Sequence, residues 1–253
     1  MRTTVVTGFS FQNAQNMKKT VLLFLLALPL LGRGQTAPDN EAIREAVSVP
    51  ESRYFYPKLF NRYMLGDSTL TLQDYRHLYY GYIHQPEYDP FESPTAADSI
   101  LMVFERNPDP QAKDFKALID YGNRVLLREP FNPRHLNLLT YAYGAIGDHE
   151  NELKNYRRFK MLMETIMSSG TGISEGSPWH VIYFDHTEDV MAYLDLKYLK
   201  RTVVSRTCEY VPLLVKNGKI KGYYFDFSRI YTRRPDPTQR KKPGWEFNGI
   251  KIR

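Results

Sequence analysis

Apolar and aromatic positions recur at helical spacing from residue 72 to 83, where Tyr75, Leu78, Tyr79 and Tyr82 fall on one broad face. Thr71 just ahead can cap this helix, and Asp74 three residues on completes a capping box. Gly81 inside it either admits close packing or begins to loosen the helix. The same period runs through Phe115, Leu118, Ile119, Gly122, Val125 and Leu126, which predicts an amphipathic helix over 113–127. The clearest pattern spans 132–163 and reads as two helices folded back on each other. Asn132 caps the first and Pro133 suits its first turn, after which Leu136, Leu139, Tyr143 and Ile146 recur. Gly147 supplies a left-handed stop, and Asp148 caps a second helix carrying Leu153, Tyr156, Phe159 and Met163. Shorter helical spacing is present at 40–47 and 96–105.

After Met167 the period changes. Ser168 to Gly172, with Gly176 and Pro178, form a loop, and strand-like runs follow at 179–184, 201–210, 211–216 and 219–231. Asn217-Gly218, between the last two, is a strong hairpin signal. Residues 189–199 fit a short helix or another strand. These patterns predict an α+β fold, a helical part followed by a small antiparallel sheet. The expected divisions are an upstream extension and leader at 1–34, a helical subdomain at 35–167, a β subdomain packed on it at 168–232, and a flexible basic tail at 233–253.

Charge sharpens that division. The net charge of +6 belongs to the ends: residues 1–34 hold Arg2, Lys18, Lys19 and Arg33 and no acid, and 229–253 hold eight Lys/Arg against two Asp/Glu. The body, 35–228, has twenty-two basic and twenty-six acidic residues, net −4, so no basic globular face argues for nucleic acid. Met17-Lys18-Lys19 followed by the mostly apolar run 20–31 and small Gly32 and Gly34 reads as a secretory signal peptide. Residues 1–16 read as an upstream extension, leaving Met1 and Met17 both open as the start, and cleavage after Gly34 would expose Gln35. The apolar run is too short for a comfortable span and no later stretch qualifies, so an exported protein, periplasmic or secreted, without a transmembrane span after cleavage is expected. Cys208 is the one cysteine, which excludes a disulfide within one chain and zinc sites built from several cysteines; a buried small hydrophobe is its expected role.

Part of the hairpin resembles the tetratricopeptide repeat, through Leu136, Leu139, Tyr143, Gly147, Tyr156 and Phe159, with Pro130 where a preceding repeat would end. Glu152 departs from that pattern, standing where a small residue normally lets the helices approach. Residues 113–129 would be half a repeat, so the resemblance implies one repeat-like pair within a larger body. Over roughly residues 50–230 the chain also resembles a family of exported Bacteroidetes proteins catalogued as a domain of unknown function. Tyr79-Tyr80-Gly81-Tyr82, Tyr88, Pro90, Gly170-Thr171-Gly172, Cys208-Glu209-Tyr210 and Tyr224-Phe225-Asp226 carry that resemblance. It implies an exported helical-plus-sheet protein and supplies no catalytic residues.

Histidines and carboxylates gather in His180, Asp185, His186, Glu188 and Asp189, a combination that can bind a metal or share acid–base work. On a straight strand His180 and His186 would share a face about 20 Å apart, too far for one ion, so a metal site would need a turn at Asp185. The plainer reading is a polar strand end and loop. Arg76, His77 and Tyr80 can line a pocket with the aromatic helix, although amphipathic spacing favours Arg76 and His77 on its solvated face. Gly170-Thr171-Gly172 lacks the Lys-Ser/Thr of a phosphate loop, and neither a nucleophile elbow nor a zinc-protease motif is present. With no catalytic, metal or cofactor motif, the expected role is a non-enzymatic binding or scaffold module for an envelope protein or peptide. The rival is a small-molecule hydrolase or metal-dependent enzyme using residues 180–189.

Overall fold

A computed structural model describes residues 35–91, 107, 109–233, 246–247 and 250–251. The leader, the spacing at 96–105 and most of the basic tail lie outside the described residues. Local signals set the helices. Asp39 accepts from the amides of Glu41 and Ala42 and starts α1, Asn40–Ser48. The Thr71–Asp74 capping box starts α3, Leu72–Gly81, as its sequence predicts. Between them α2, Tyr56–Leu65, has Pro57 in its first turn and ends at Gly66 in the left-handed conformation. Sequence spacing alone does not single out α2, although Tyr56, Leu59, Phe60 and Tyr63 form its inner stripe. The α3 helix continues only as a 3-10 turn, Tyr82–His84. A Cβ on Gly81 would stand 2.9 Å from Val47, so this glycine admits the close approach of α1.

The next three helices are α4, Ala112–Arg128, α5, Pro133–Ala145, and α6, His149–Met167. Asn132 accepts from the His135 amide, Gly147 has φ +78°, and Asp148 accepts from the Asn151 amide, so the two-helix turn forms as its caps predict. The inner face of α6 keeps the predicted Phe159 and Met163 against the core but departs from the prediction at Leu153 and Tyr156. Leu153 and Tyr156 are 46% and 48% exposed, whereas Asn155, Arg158, Leu162, Met163, Thr165 and Ile166 are buried. The cause is Arg158, which turns inward to donate to the Tyr63 and Met64 carbonyls at the end of α2 and rotates the helix about that anchor. Glu152 keeps its place because the room is made opposite: a Cβ on Gly144 of α5 would lie 2.9 Å from its carboxylate.

The sheet is mixed, with strand order β1-β4-β3-β2. Its strands are β1, Trp179–His180, β2, Thr202–Val203, β3, Cys208–Asn217, and β4, Ile220–Asp226. β3 pairs antiparallel with both neighbours, but β1 runs parallel to β4, which corrects the expectation of a purely antiparallel sheet. The expected strand at 179–184 stops after His180, because the Tyr183 and Phe184 carbonyls accept from the His186 and Thr187 amides and open α7, His186–Tyr193. The ambiguous stretch after residue 189 is therefore the end of α7 and a turn at Asp195, followed by a return along β3 through the Tyr198–Leu213 bridge. Asn217-Gly218 makes the β3–β4 hairpin, with φ +61° at Gly218. In the tail, β5, Glu246–Phe247, pairs with β6, Ile250–Lys251.

One hydrophobic cluster takes in side chains from all seven α-helices among the described residues and from β1, β3 and β4, giving an α+β architecture with the sheet set against the helices. Tyrosines fill much of it, and their hydroxyls reach carbonyls of loops and of a helix end. Tyr63 donates to Pro130 at 2.7 Å, Tyr82 to Arg128 at 3.0 Å and Tyr88 to Ile182 at 2.6 Å. Each such bond contributes about 1 kcal/mol net and avoids the larger cost of an unpaired buried hydroxyl. Cys208 is buried and unpaired with another cysteine, and burial pushes its thiol up to about 11. No helix among the described residues is long and apolar enough to cross a membrane.

Candidate functional site

Successive residues of α3 organise the junction between helices and sheet. Tyr80 donates to the His180 carbonyl at 3.2 Å, and two guanidinium groups lie over its ring, Arg229 at 5.2 Å and Arg76 at 5.7 Å from its centre. Arg76 is buried, which overturns its expected place on a solvated face. It donates to the Ser168 hydroxyl and the Thr36 carbonyl, both at 2.7 Å, so the segment before α1 covers it. Arg229 donates to the Pro38 carbonyl at 2.7 Å. Two buried arginines thus pin the same N-terminal segment across the junction. His77 is only partly exposed and stacks on Tyr54 with ring centroids 3.5 Å apart.

His180 sits between opposite charges. Its Nδ1 is 3.1 Å from Asp226 Oδ1 and 2.7 Å from Arg229 Nη1. A neutral imidazole satisfies one of these at a time: with Nδ1–H it donates to Asp226, and with Nε2–H its free Nδ1 accepts from Arg229. Burial, joined by the Arg229 charge, holds His180 below the usual histidine range against the pull of Asp226. Burial also opposes the charge on Asp226, yet His180 and Ser228 outweigh it and hold the carboxyl at about 2. Thr207 bonds the other carboxylate oxygen at 3.1 Å. The structure therefore brings Arg76, Tyr80 and His180 together, and adds Arg229 and Asp226, the latter marked in the sequence only as part of the family resemblance and neither as a site residue. The signal available for them was an Asp and an Arg three residues apart at the end of a predicted strand.

The rest of the predicted cluster goes elsewhere. His186 is buried beneath Tyr79, with its Nδ1 2.6 Å from the Tyr79 hydroxyl, which also accepts from the Ile182 amide at 3.2 Å. Desolvation drives this imidazole down to about 3, with the Arg134 charge in the same direction and a backbone bond at Phe131 opposing. It is a neutral packing residue. Asp185 is exposed at the start of α7. Asp189 is 9% exposed, with Oδ1 3.4 Å from Arg134 Nε, and burial raises its carboxyl to about 7 despite that arginine. His180, beside Asp226, and His186, beside Tyr79, thus do not converge, whereas Asp185, Glu188 and Asp189 act on one another by charge. Among the described residues there is no group of three or more His, Cys, Asp or Glu placed to hold a metal ion.

Glu188 reaches a cleft. Thr187, Glu188, Tyr198, Leu199, Arg201 and Val211 border a space of about 290 Å³ beside the outer edge of the sheet. Arg201 lies between two carboxylates, 3.3 Å from Glu209 and 3.7 Å from Glu188. Thr187 Oγ1, Glu188 Oε2, Arg201 Nη1 and Glu209 Oε2 are covered yet make no hydrogen bond, so charge contact here comes without directional pairing. Burial raises the Glu188 carboxyl, and the neighbouring Asp185 adds to this while Arg201 and Arg134 oppose it. The cleft can hold a polar group, and its outer rim is apolar.

Residues 41–234 match a protein family described as Domain of unknown function (DUF4919). No curated protein and no solved structure matches the chain.

Proposed function

We infer from the surface of this chain, which belongs to the DUF4919 family, that it is an exported, non-catalytic binding module taking an extended peptide segment of an envelope protein at the outer edge of its sheet. The observation that carries this reading is the character of that edge. β2 is the outermost strand, and Val203 there is 74% exposed. Alongside, Tyr198, Leu199, Val204, Leu214 and Val215 are exposed on the two faces of the β2–β3 edge. The main chain of an edge strand gives a peptide hydrogen-bonding partners, and these apolar side chains give it contacts on either face. Exposed Lys197 and Lys200 lie beside Tyr198 and Leu199, favouring a segment with acidic residues beside its apolar ones. The cleft at Glu188 and Arg201 opens next to the same edge and can receive a polar side chain of that segment.

Export rests on the leader at 17–34. The body supports it, since Thr36 and Pro38, just beyond the expected cleavage point, are held by Arg76 and Arg229. N-terminal sequencing of protein recovered from periplasm or medium is expected to begin at Gln35; recovery only in the membrane fraction with the leader intact would sink export. For the edge, capture from envelope extract by the intact chain is compared with capture by Val203→Asp and Val215→Asp. Both positions are exposed, so circular dichroism and melting are expected to be unchanged while a specific partner is lost. Partners retained equally by both variants would place binding elsewhere.

A further inference from the structure

We propose that the groove between α6 and the loop after α2 binds a phosphate-class oxyanion, either free phosphate or a phosphomonoester headgroup. The groove lies among residues apart from the sheet edge, and its case does not depend on peptide binding there. Gly66 and Ser68 form one wall, Lys154, Arg157, Arg158 and Lys160 the other, and the space between is about 380 Å³. Lys154, Arg157 and Arg158 stand three and four residues apart, so they share one face of α6, where like charges repel. A multivalent anion removes that repulsion.

Two of the three are held in place. Arg158 Nη2 donates to the Tyr63 and Met64 carbonyls at 2.6 Å each, and its guanidinium lies 4.7 Å from the Tyr63 ring centre. Those partners are neutral, so among the described residues no carboxylate pairs with its charge. The Lys154 stem crosses Gly66 so closely that a Cβ there would be 2.8 Å from it; the glycine at φ +79° clears its path to the groove. Burial and the Arg158 charge push the Lys154 ammonium down, with Glu150 opposing.

The acids at the rim are engaged. Asp67 takes Arg62 at 2.8 Å together with Thr69, and Glu164 faces Lys160 at 4.0 Å. Among the described residues no carboxylate stands within ion-pair distance of Lys154, Arg157 or Arg158, and Glu150 acts on Lys154 only from farther off. Three cations lining one groove, with the whole guanidinium of Arg157 and the Nη1 donors left to Arg158, suit a multivalent tetrahedral oxyanion better than a single carboxylate.

The test titrates inorganic phosphate, with acetate as comparison, into the full chain at low salt and follows it by calorimetry and NMR. A second arm measures retention on vesicles carrying phosphatidic acid against vesicles of phosphatidylcholine alone. Lys154→Gln/Arg157→Gln is expected to weaken binding about tenfold or more, and exposed Lys216→Gln to leave it unchanged. The Lys154 ammonium is expected to titrate higher once phosphate is bound. Phosphate binding in solution supports a free ligand; retention on phosphatidic acid alone supports the headgroup. A folded wild type that binds in neither arm, or a double variant that binds as wild type does, overturns the proposal.

Discussion

Replacing Arg229 by methionine is expected to lower the unfolding free energy by about 3–5 kcal/mol, because it leaves a buried charge without its partner. The residue is 3% exposed and its side chain holds four things together. It donates to Pro38, contacts His180, lies 3.6 Å from Asp226 and packs over Tyr80. Methionine fills comparable space but leaves the Asp226 carboxylate with Ser228, Thr207 and a neutral His180. It also frees the segment before α1. Urea unfolding at pH 7 measures the loss, and hydrogen exchange at residues 36–40 should rise more than at α5. Adding Asp226→Asn should restore part of the stability, since the stranded charge is then gone. A loss below about 1 kcal/mol would show that Arg229 is held by this site without supporting it.

What the sequence reveals and hides follows from how far each cause reaches along the chain. The caps at Thr71, Asn132 and Asp148, the left-handed stop at Gly147 and the Asn217-Gly218 turn act within four residues, and all are legible. Arg76 is misread because the groups that bury it, Thr36 and Ser168, are forty and ninety-two residues away. The inner face of α6 is misread at Leu153 and Tyr156 for a similar reason, since the carbonyls that draw Arg158 inward belong to α2. Within the candidate site, Tyr80 and His180 are legible as chemistry-bearing residues, but their meeting depends on the packing of α3 against β1. Asp226 and Arg229 acquire a role only when β4 runs parallel to β1 and brings Asp226 beside His180. That pairing joins residues forty-six apart, and spacing along the chain does not encode it.

Asp189→Asn is expected to change the pH dependence of stability more than its value at any one pH. Two buried groups oppose each other in the wild type. The folded chain keeps His186 neutral down to about pH 3, whereas the unfolded histidine takes a proton near 6.5. The stability from His186 is therefore lost as pH falls below 6.5, at up to about 1.4 kcal/mol per pH unit. Asp189 works the other way. Its folded carboxyl keeps a proton to about 7 against 3.8 when unfolded, so its contribution is fully present below pH 3.8 and is lost as pH rises to 7. Between about pH 4 and 6.5 the two slopes cancel, which predicts a nearly flat wild-type curve there. With asparagine at 189 the Asp189 slope vanishes and the His186 slope emerges, reinforced by the lowered His180. Arg134 is half exposed and can return to water, so the variant should exceed the wild type above pH 7, by about 4 kcal/mol at most. Asp185, Glu188 and Arg201 also face this region and shift the midpoint without reversing the sign. Urea unfolding from pH 4.5 to 8 reads both slopes directly. Parallel curves for variant and wild type would mean that Asp189 is ionised throughout, held by Arg134 more strongly than burial opposes it.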